Sequence, residues 1–175
     1  MLLMGGGARI KKVQRGVSQM TDLPSDANFD VTISPINLTR SFVRFMRNSG
    51  LPGTFSEFWI MAFFPNASTI RFARHKSGGA VKLSWEVVEF SQGVRVQHVQ
   101  TLVTTNVTTA TIAPVDMDRT FLVVSFRHAT DDFDTMQAML NSHPMVTLVA
   151  PDTLEFAPLS SNHRKFVQVA VVEVK

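Results

Sequence analysis

The side chains that could carry out chemistry are dispersed along this chain of 175 residues. Five histidines stand apart from one another, at positions 75, 98, 128, 143 and 163. None belongs to an HExxH motif or a close pair, so the ligand spacing of a zinc site is missing. Serine, histidine and aspartate all occur, but no GxSxG turn would present a serine for nucleophilic attack. We therefore expect no catalytic residues and no enzymatic activity.

Two short runs resemble the beginnings of ligand sites. Residues 131–134, read DDFD, offer carboxylate oxygens of the kind that hold calcium, but no glycine or distant glutamate completes a calcium loop. A solvated acidic loop is the preferred interpretation. The three glycines at residues 5–7 lack the preceding strand that a phosphate-binding turn requires. The chain has no cysteine, which excludes thiolate ligands, so we expect neither a metal nor a cofactor.

The charge distribution limits the kinds of partner that the chain is expected to bind. The formal net charge is only +3, and lysine and arginine are scattered rather than clustered. Basic residues such as Arg44 and Arg71 lie near phenylalanines, but strand alternation places them on the solvent side of strands whose other side is core. No apolar run approaches the roughly 18–20 residues of a membrane-spanning helix. We expect no nucleic-acid partner and no membrane.

Arginine and glutamate recur at matched places in the chain. Arg40 and Arg119 open matching strands, and Glu89 and Glu173 close matching strands. Strict alternation would point Glu89 toward the core, where a carboxylate needs a partner or an exit to solvent. Two interpretations stay open. Either the strand ends or bulges at residues 87–88 and turns the glutamate outward, or each copy holds a structural ion pair. Those pairs would be Arg40 with Glu89 and Arg119 with Glu173.

These matched charges belong to an internal duplication. Residues 82–90, read KLSWEVVEF, return as residues 166–174, read FVQVAVVEV, when 84 is added to each number. Both copies alternate apolar and polar residues and are rich in β-branched side chains, which is typical of a half-buried strand. A strand that recurs at a fixed distance indicates a repeated structural unit.

The rest of the chain follows the same order twice. Alternating or apolar runs bounded by turn residues predict six strands in the first copy, at residues 9–17, 29–33, 42–45, 58–64, 69–74 and 82–90. The second copy has corresponding segments at offsets of 79 to 84. The changes in offset mean that insertions and deletions fall in the loops. Asp134 and Gln137 resemble a capping box ahead of an apolar run, which predicts one short helix within residues 129–144.

We therefore predict an all-β protein of two tandem sandwich-like units, residues 9–90 and 91–175, behind a flexible arm of residues 1–8. Whether the units form separate sandwiches or share sheets stays open. The expected core residues of the first copy are Phe42, Phe45, Phe72, Trp85 and Val87. Their counterparts are Phe121, Val124, Phe156, Val169 and Val171.

The apolar run at residues 58–64 carries more aromatic surface than one small sandwich readily buries. We therefore expect Phe58, Trp59 and Phe64 to form a protein-contact surface. A homo-oligomer, or docking on a symmetric assembly, would supply such a contact.

One set of residues resembles a known protein module. VQRGV at residues 13–17, VTISPIN at 31–37, TIRFAR at 69–74 and WEVVEF at 85–90 are similar to a repeat found in tailed-bacteriophage virion structural and tail- or fibre-like proteins. The match covers the first copy well. The second copy matches the repeat only weakly, with Val169 in place of Trp85.

This resemblance implies a structural accessory protein of the virion, tail- or surface-associated and assembled in the host cytoplasm, whose partners are other virion proteins. It carries over no catalytic residues. Two alternatives stay open: a head-decoration (capsid cement) protein, and a carbohydrate-binding adhesin module in which Trp59 would stack on a host glycan.

Overall fold

A computed structural model of the chain describes residues 7–20, 28–49, 59–75, 80–104, 106–129, 143–158 and 164–175. Within them the protein is all-β, as predicted, and contains no α-helix. The first six strands are β1 (Arg9–Met20), β2 (Asn28–Thr32), β3 (Ser41–Ser49), β4 (Ile60–Asn66), β5 (Thr69–Arg74) and β6 (Val81–Gln92). The other six are β7 (Val94–Val103), β8 (Thr108–Thr111), β9 (Thr120–His128), β10 (Met145–Ala150), β11 (Thr153–Ala157) and β12 (Lys165–Val174).

The strands form four antiparallel sheets of three strands each. Sheet 1 has the order β1-β6-β3 and sheet 2 the order β2-β5-β4, and together they make unit 1. Sheet 3 (β7-β12-β9) and sheet 4 (β8-β11-β10) repeat this arrangement in unit 2. No sheet in the described part of the chain takes strands from both units, which answers the question that the sequence left open.

Each unit closes its own core between its two sheets. In unit 1, alternate residues of β6 such as Leu83 and Val87 face Ile70 and Phe72 of sheet 2. In unit 2, the valines of β12 face Phe156 and its neighbours in sheet 4 in the same way. Burying such side chains contributes about 1.5–3 kcal/mol each, which explains why both copies keep the alternation.

The turns are duplicated down to single hydrogen bonds. Asn37 caps a short 3-10 turn (Leu38–Arg40) by accepting the N–H of Thr39 at 3.0 Å. Asp116 caps the corresponding turn (Met117–Arg119) by accepting the N–H of Asp118 at 3.1 Å. The chain therefore turns through an Asx turn at Asn37 in unit 1 and at Asp116 in unit 2.

A single residue connects the two units. Gly93 separates β6 from β7 and has a φ of 70°, a conformation that glycine adopts without strain. Its carbonyl accepts the N–H of Lys175 at 2.8 Å. A Cβ at this position would lie 2.8 Å from the backbone nitrogen of Ala8. The connection is therefore short and enclosed by the backbone near both ends of the described chain.

A glycine opposite a tryptophan distinguishes the units. Gly16 pairs with Trp85 across sheet 1, and a Cβ on Gly16 would lie 2.7 Å from Cε2 of the indole. The indole Nε1 donates to the hydroxyl of Ser18 at 3.1 Å. Val99 pairs with Val169 at the corresponding place in unit 2. The glycine of the VQRG motif therefore provides the space that the tryptophan occupies, and a pair of valines fills the same space in unit 2.

Some expected positions differ. Phe42 is buried in a third cluster between the units rather than in the core of unit 1. Phe121 and Val124 are 45% and 41% exposed, because β9 is an edge strand. β4 begins at Ile60, so the predicted strand at residues 58–64 lies two residues further along. The predicted short helix falls outside the described residues.

We expect the Gly16–Trp85 pair to be energetically coupled. Gly16→Val alone should destabilise the protein by overpacking, by about 1–3 kcal/mol, and Trp85→Val alone should leave a cavity that costs about 3 kcal/mol. The double variant reproduces the Val99–Val169 pair, so urea unfolding should show a loss at least about 1 kcal/mol smaller than the sum of the two singles. Strictly additive losses would contradict the claim that Gly16 provides the space that Trp85 occupies.

Candidate functional site

Two buried glutamates are the first candidates for a functional site. Glu89 is 2% exposed and Glu173 is 8% exposed. Burial alternates without interruption along β6 through Val87 to Glu89. The first interpretation, in which a break at residues 87–88 turns Glu89 outward, is therefore wrong.

A lysine from β1 and a backbone N–H from the turn hold Glu89. Its Oε1 accepts Lys11 Nζ at 2.9 Å and the N–H of Asn37 at 3.2 Å. The pairing of β1 with β6 shifts between Ile10 and Lys12, so Lys11 is the extra residue of a bulge. Because a bulge re-aims a side chain, Lys11 can reach the glutamate.

Unit 2 builds the same contact with an arginine. Glu173 Oε2 accepts Arg95 Nε at 2.9 Å, and its Oε1 accepts the N–H of Asp116 at 2.9 Å. Arg95 pairs directly with Glu173 across the sheet, without a bulge. Through a second nitrogen, its guanidinium also donates to the carbonyl of Pro114. Each glutamate therefore ties the first and last strands of its unit to the turn.

The predicted partners of the glutamates were wrong. Arg40 donates to the carbonyl of Ser91, and Arg119 lies 3.6 Å from Asp116 within its own turn. The matching of charges indicated buried pairs correctly, but sequence offsets could not show which basic residue reaches inward. The bulge that brings Lys11 to Glu89 leaves no signature in the alternation of β1.

In each unit a glutamine side chain binds the backbone of a turn, and the sequence analysis did not predict this contact. The Gln14 side chain donates to the carbonyl of Ser34 and accepts its N–H, both at 2.8 Å. Gln97 makes the same two hydrogen bonds with Ala113, again at 2.8 Å. The signal was present, since Gln97 matches Gln14 on adding 83. A conserved amide opposite a proline turn could have indicated a backbone clamp.

The junction between the units is the second candidate site. Trp59 stacks on Phe126 with ring centroids 4.7 Å apart and contacts His143 edge-on at 4.6 Å. Phe64 lies edge-on to His98 at 5.7 Å. The predicted contact residues Trp59 and Phe64 therefore lie at a protein contact, but the partner is unit 2 of the same chain. Phe58 lies outside the described residues.

Two polar side chains of unit 2 bind the backbone of unit 1. His98 Nε2 lies 3.1 Å from the carbonyl oxygens of both Leu38 and Ser41. Because both partners are acceptors, Nε2 carries the proton. The Ser125 hydroxyl accepts the N–H of Ala62 at 3.1 Å and donates to its carbonyl at 3.3 Å. Ser125 thereby satisfies part of the edge of β4.

A groove of about 450 Å³ lies between the units. Its walls are β3 and β4, and its floor is the face of sheet 3 that points away from sheet 4. The lining is mostly apolar and includes Val43, Phe45, Met46, Ile60, Phe63, Phe64, Val123 and Ala170. The polar lining residues are Arg44, Arg47, His98, Ser125 and Gln168. We name this space the junction groove.

A buried lysine at one end of unit 2 has no described partner. Lys165 is fully buried, and its Nζ makes no hydrogen bond. Burial lowers the pKa of its amine. Val81 occupies the corresponding place in unit 1, opposite Met20 and Ser49, whereas Lys165 lies opposite Val103 and His128. The fold itself therefore accepts an apolar residue at this position.

The described residues bring together no group of histidine, aspartate and glutamate that could hold a metal ion. In the same part of the chain, no helix has the length and apolar character to cross a membrane. The polar groups that the structure does bring together hold strands, turns and units to one another. The chain matches no protein-family model, no curated protein and no solved structure.

We expect Glu89 to be coupled to Lys11 and not to Arg40. Glu89→Gln should destabilise the protein by about 1–3 kcal/mol, because Lys11 and the N–H of Asn37 lose their charged acceptor. Thermal unfolding of the singles and doubles should give a coupling of at least about 0.5 kcal/mol for Lys11→Met with Glu89→Gln. Arg40→Ala serves as the matched control and should give near-additive losses. The reverse ranking would reject the assignment of partners.

Acidification should weaken the junction through His98. Burial lowers the pKa of His98, and the hydrogen bonds to Leu38 and Ser41 oppose that shift. A folded pKa below the unfolded value means that stability is full above about pH 6.5 and falls as the pH drops through that value. His98→Gln keeps a donor but does not titrate, so its melting temperature should fall less between about pH 7 and pH 5. Equal falls would exclude His98 as the cause.

Replacing Lys165 should stabilise the protein. Lys165→Met removes a buried amine that no described residue hydrogen-bonds and should add about 1–3 kcal/mol at neutral pH. Because the folded pKa is lowered, the cost of the charge is present at neutral pH and is relieved as the pH rises through that pKa. The advantage of the variant should therefore shrink toward about pH 10. Melting temperatures at the two pH values test this, and a destabilised variant would contradict it.

Proposed function

We propose that the chain is a structural accessory protein of a tailed-phage virion, associated with the tail or the particle surface. It acts through protein–protein contacts with other virion proteins, and no catalysis is part of its role. The head-decoration role is the nearest alternative and differs in the surface on which the protein docks.

One observation carries the proposal: Gln14, Gly16 and Glu89, which belong to the motifs that resemble the phage module, make contacts that hold the fold. Gln14 clamps the turn at Ser34, Gly16 gives space to Trp85, and Glu89 ties β6 to the turn. A repeat whose recognisable residues are used for architecture suits a protein that is selected for shape and contacts. This supports the structural role over an enzymatic one.

The carbohydrate-binding alternative has less support. It rests on an aromatic ring that is free to stack on a sugar, and Trp59 was its main candidate. That ring is stacked on Phe126, with the guanidinium of Arg47 5.5 Å from its centroid. A glycan-array screen would restore this alternative if it found saturable binding.

The structural role is tested on purified particles of the source phage. Quantitative mass spectrometry should find the chain in washed virions, in a copy number that fits the symmetry of the tail or head. Immunogold electron microscopy should then place it on the tail or another surface. Absence from washed particles, with abundant chain in the infected-cell lysate, would overturn the proposal.

A further inference from the structure

The junction groove combines features of a peptide-binding site. β3 pairs with β6 along one edge only, and no strand of the described residues occupies its other edge. Five consecutive residues of β3, from Val43 to Arg47, line the groove, so the unpaired edge itself is one wall. Unpaired edges are ready templates for another strand. The opposite wall differs, because Ser125 already satisfies Ala62 on β4.

The floor of the groove carries a polar group that lacks a good partner. Gln168 is 7% exposed, and its only hydrogen bond within the described part of the chain runs from Nε2 to the carbonyl of the neighbouring Val169 at 3.4 Å. Its neighbours on the floor, Val123 and Ala170, are apolar. A buried amide in an apolar floor can donate to and accept from a peptide group above it.

The charges along the groove favour an acidic partner. Arg15 and Arg44 flank Glu86 in one row across sheet 1 and share that single carboxylate. This row therefore keeps a net positive charge. Arg44 belongs to the groove lining, and no carboxylate is among the described lining residues.

We propose that the junction groove binds an extended peptide segment of a partner protein, which adds as a strand to the free edge of β3. The segment carries apolar side chains toward the floor and at least one carboxylate near Arg44. Main-chain hydrogen bonds supply affinity in this mode of recognition, and alternate side chains supply specificity. The inference rests on the proposed structural role for the identity of the partner, a neighbouring virion protein.

Fluorescein-labelled peptides of seven residues test the binding. Each has three apolar residues alternating with threonine and flanked by glutamates, and a panel varies the apolar residue among valine, leucine and phenylalanine. At least one peptide should bind the full chain saturably in fluorescence anisotropy. Arg44→Glu should weaken that binding by about tenfold or more, since like charges then oppose each other. Arg15→Glu is the matched control, because it breaks the same Glu86 contact on the far edge of the sheet, and should change binding by less than about twofold.

Amide hydrogen exchange of the unchanged protein tests the geometry. Bound peptide should slow exchange in β3 and leave β1, the other edge of sheet 1, unaltered. Three outcomes would each overturn the inference: no binding by the whole panel, binding that Arg44→Glu does not weaken, and binding without protection of β3. Presence in washed virions is measured separately. A chain found there that binds no peptide would remove this inference and leave the structural role in place.

Discussion

The structure depends on covering one apolar surface, the face of sheet 3 that points away from its own core. Both faces of β12 are buried: Val169 and Val171 face sheet 4, while Ala170 and Val172 face the junction. If unit 2 stood alone in water, this apolar face would be exposed. Unit 1 supplies the missing cover through the side that carries β3 and β4. The single-residue connection at Gly93 keeps that cover close.

The two units carry different residues on this face of the sheet. In unit 1 the row across the corresponding sheet is Arg15–Glu86–Arg44, which is charged and partly exposed. In unit 2 the same row is His98–Ala170–Val123, which is small or apolar at its centre. The row of the second copy that faces the junction therefore contains no ion pair, which suits its burial. His98 retains a polar function by binding the 3-10 turn of unit 1.

The succession of strands along the chain, the duplication and the inward direction of Trp85 and Val87 on β6 were predictable, because alternation reports directly on which face is buried. The partner of Glu89 was not, because a bulge at Lys11 moves a side chain without changing the pattern. Trp59 and Phe64 were expected to contact another molecule, and in the structure they contact unit 2 of the same chain. Their partner was not predictable, since hydrophobicity does not distinguish a second unit of the chain from a second molecule.

The dependence of unit 2 on the cover that unit 1 supplies can be measured with one tryptophan. The chain has only two, so Trp85→Phe leaves Trp59 at the junction as the sole reporter. Urea unfolding of this variant is followed by Trp59 fluorescence and, in the same samples, by far-ultraviolet circular dichroism of all the strands. If the junction and the sheets form one cooperative structure, the two signals change at the same urea concentration. A fluorescence change at clearly lower urea, while the strand signal persists, would show that the units hold their sheets without each other and would contradict the account.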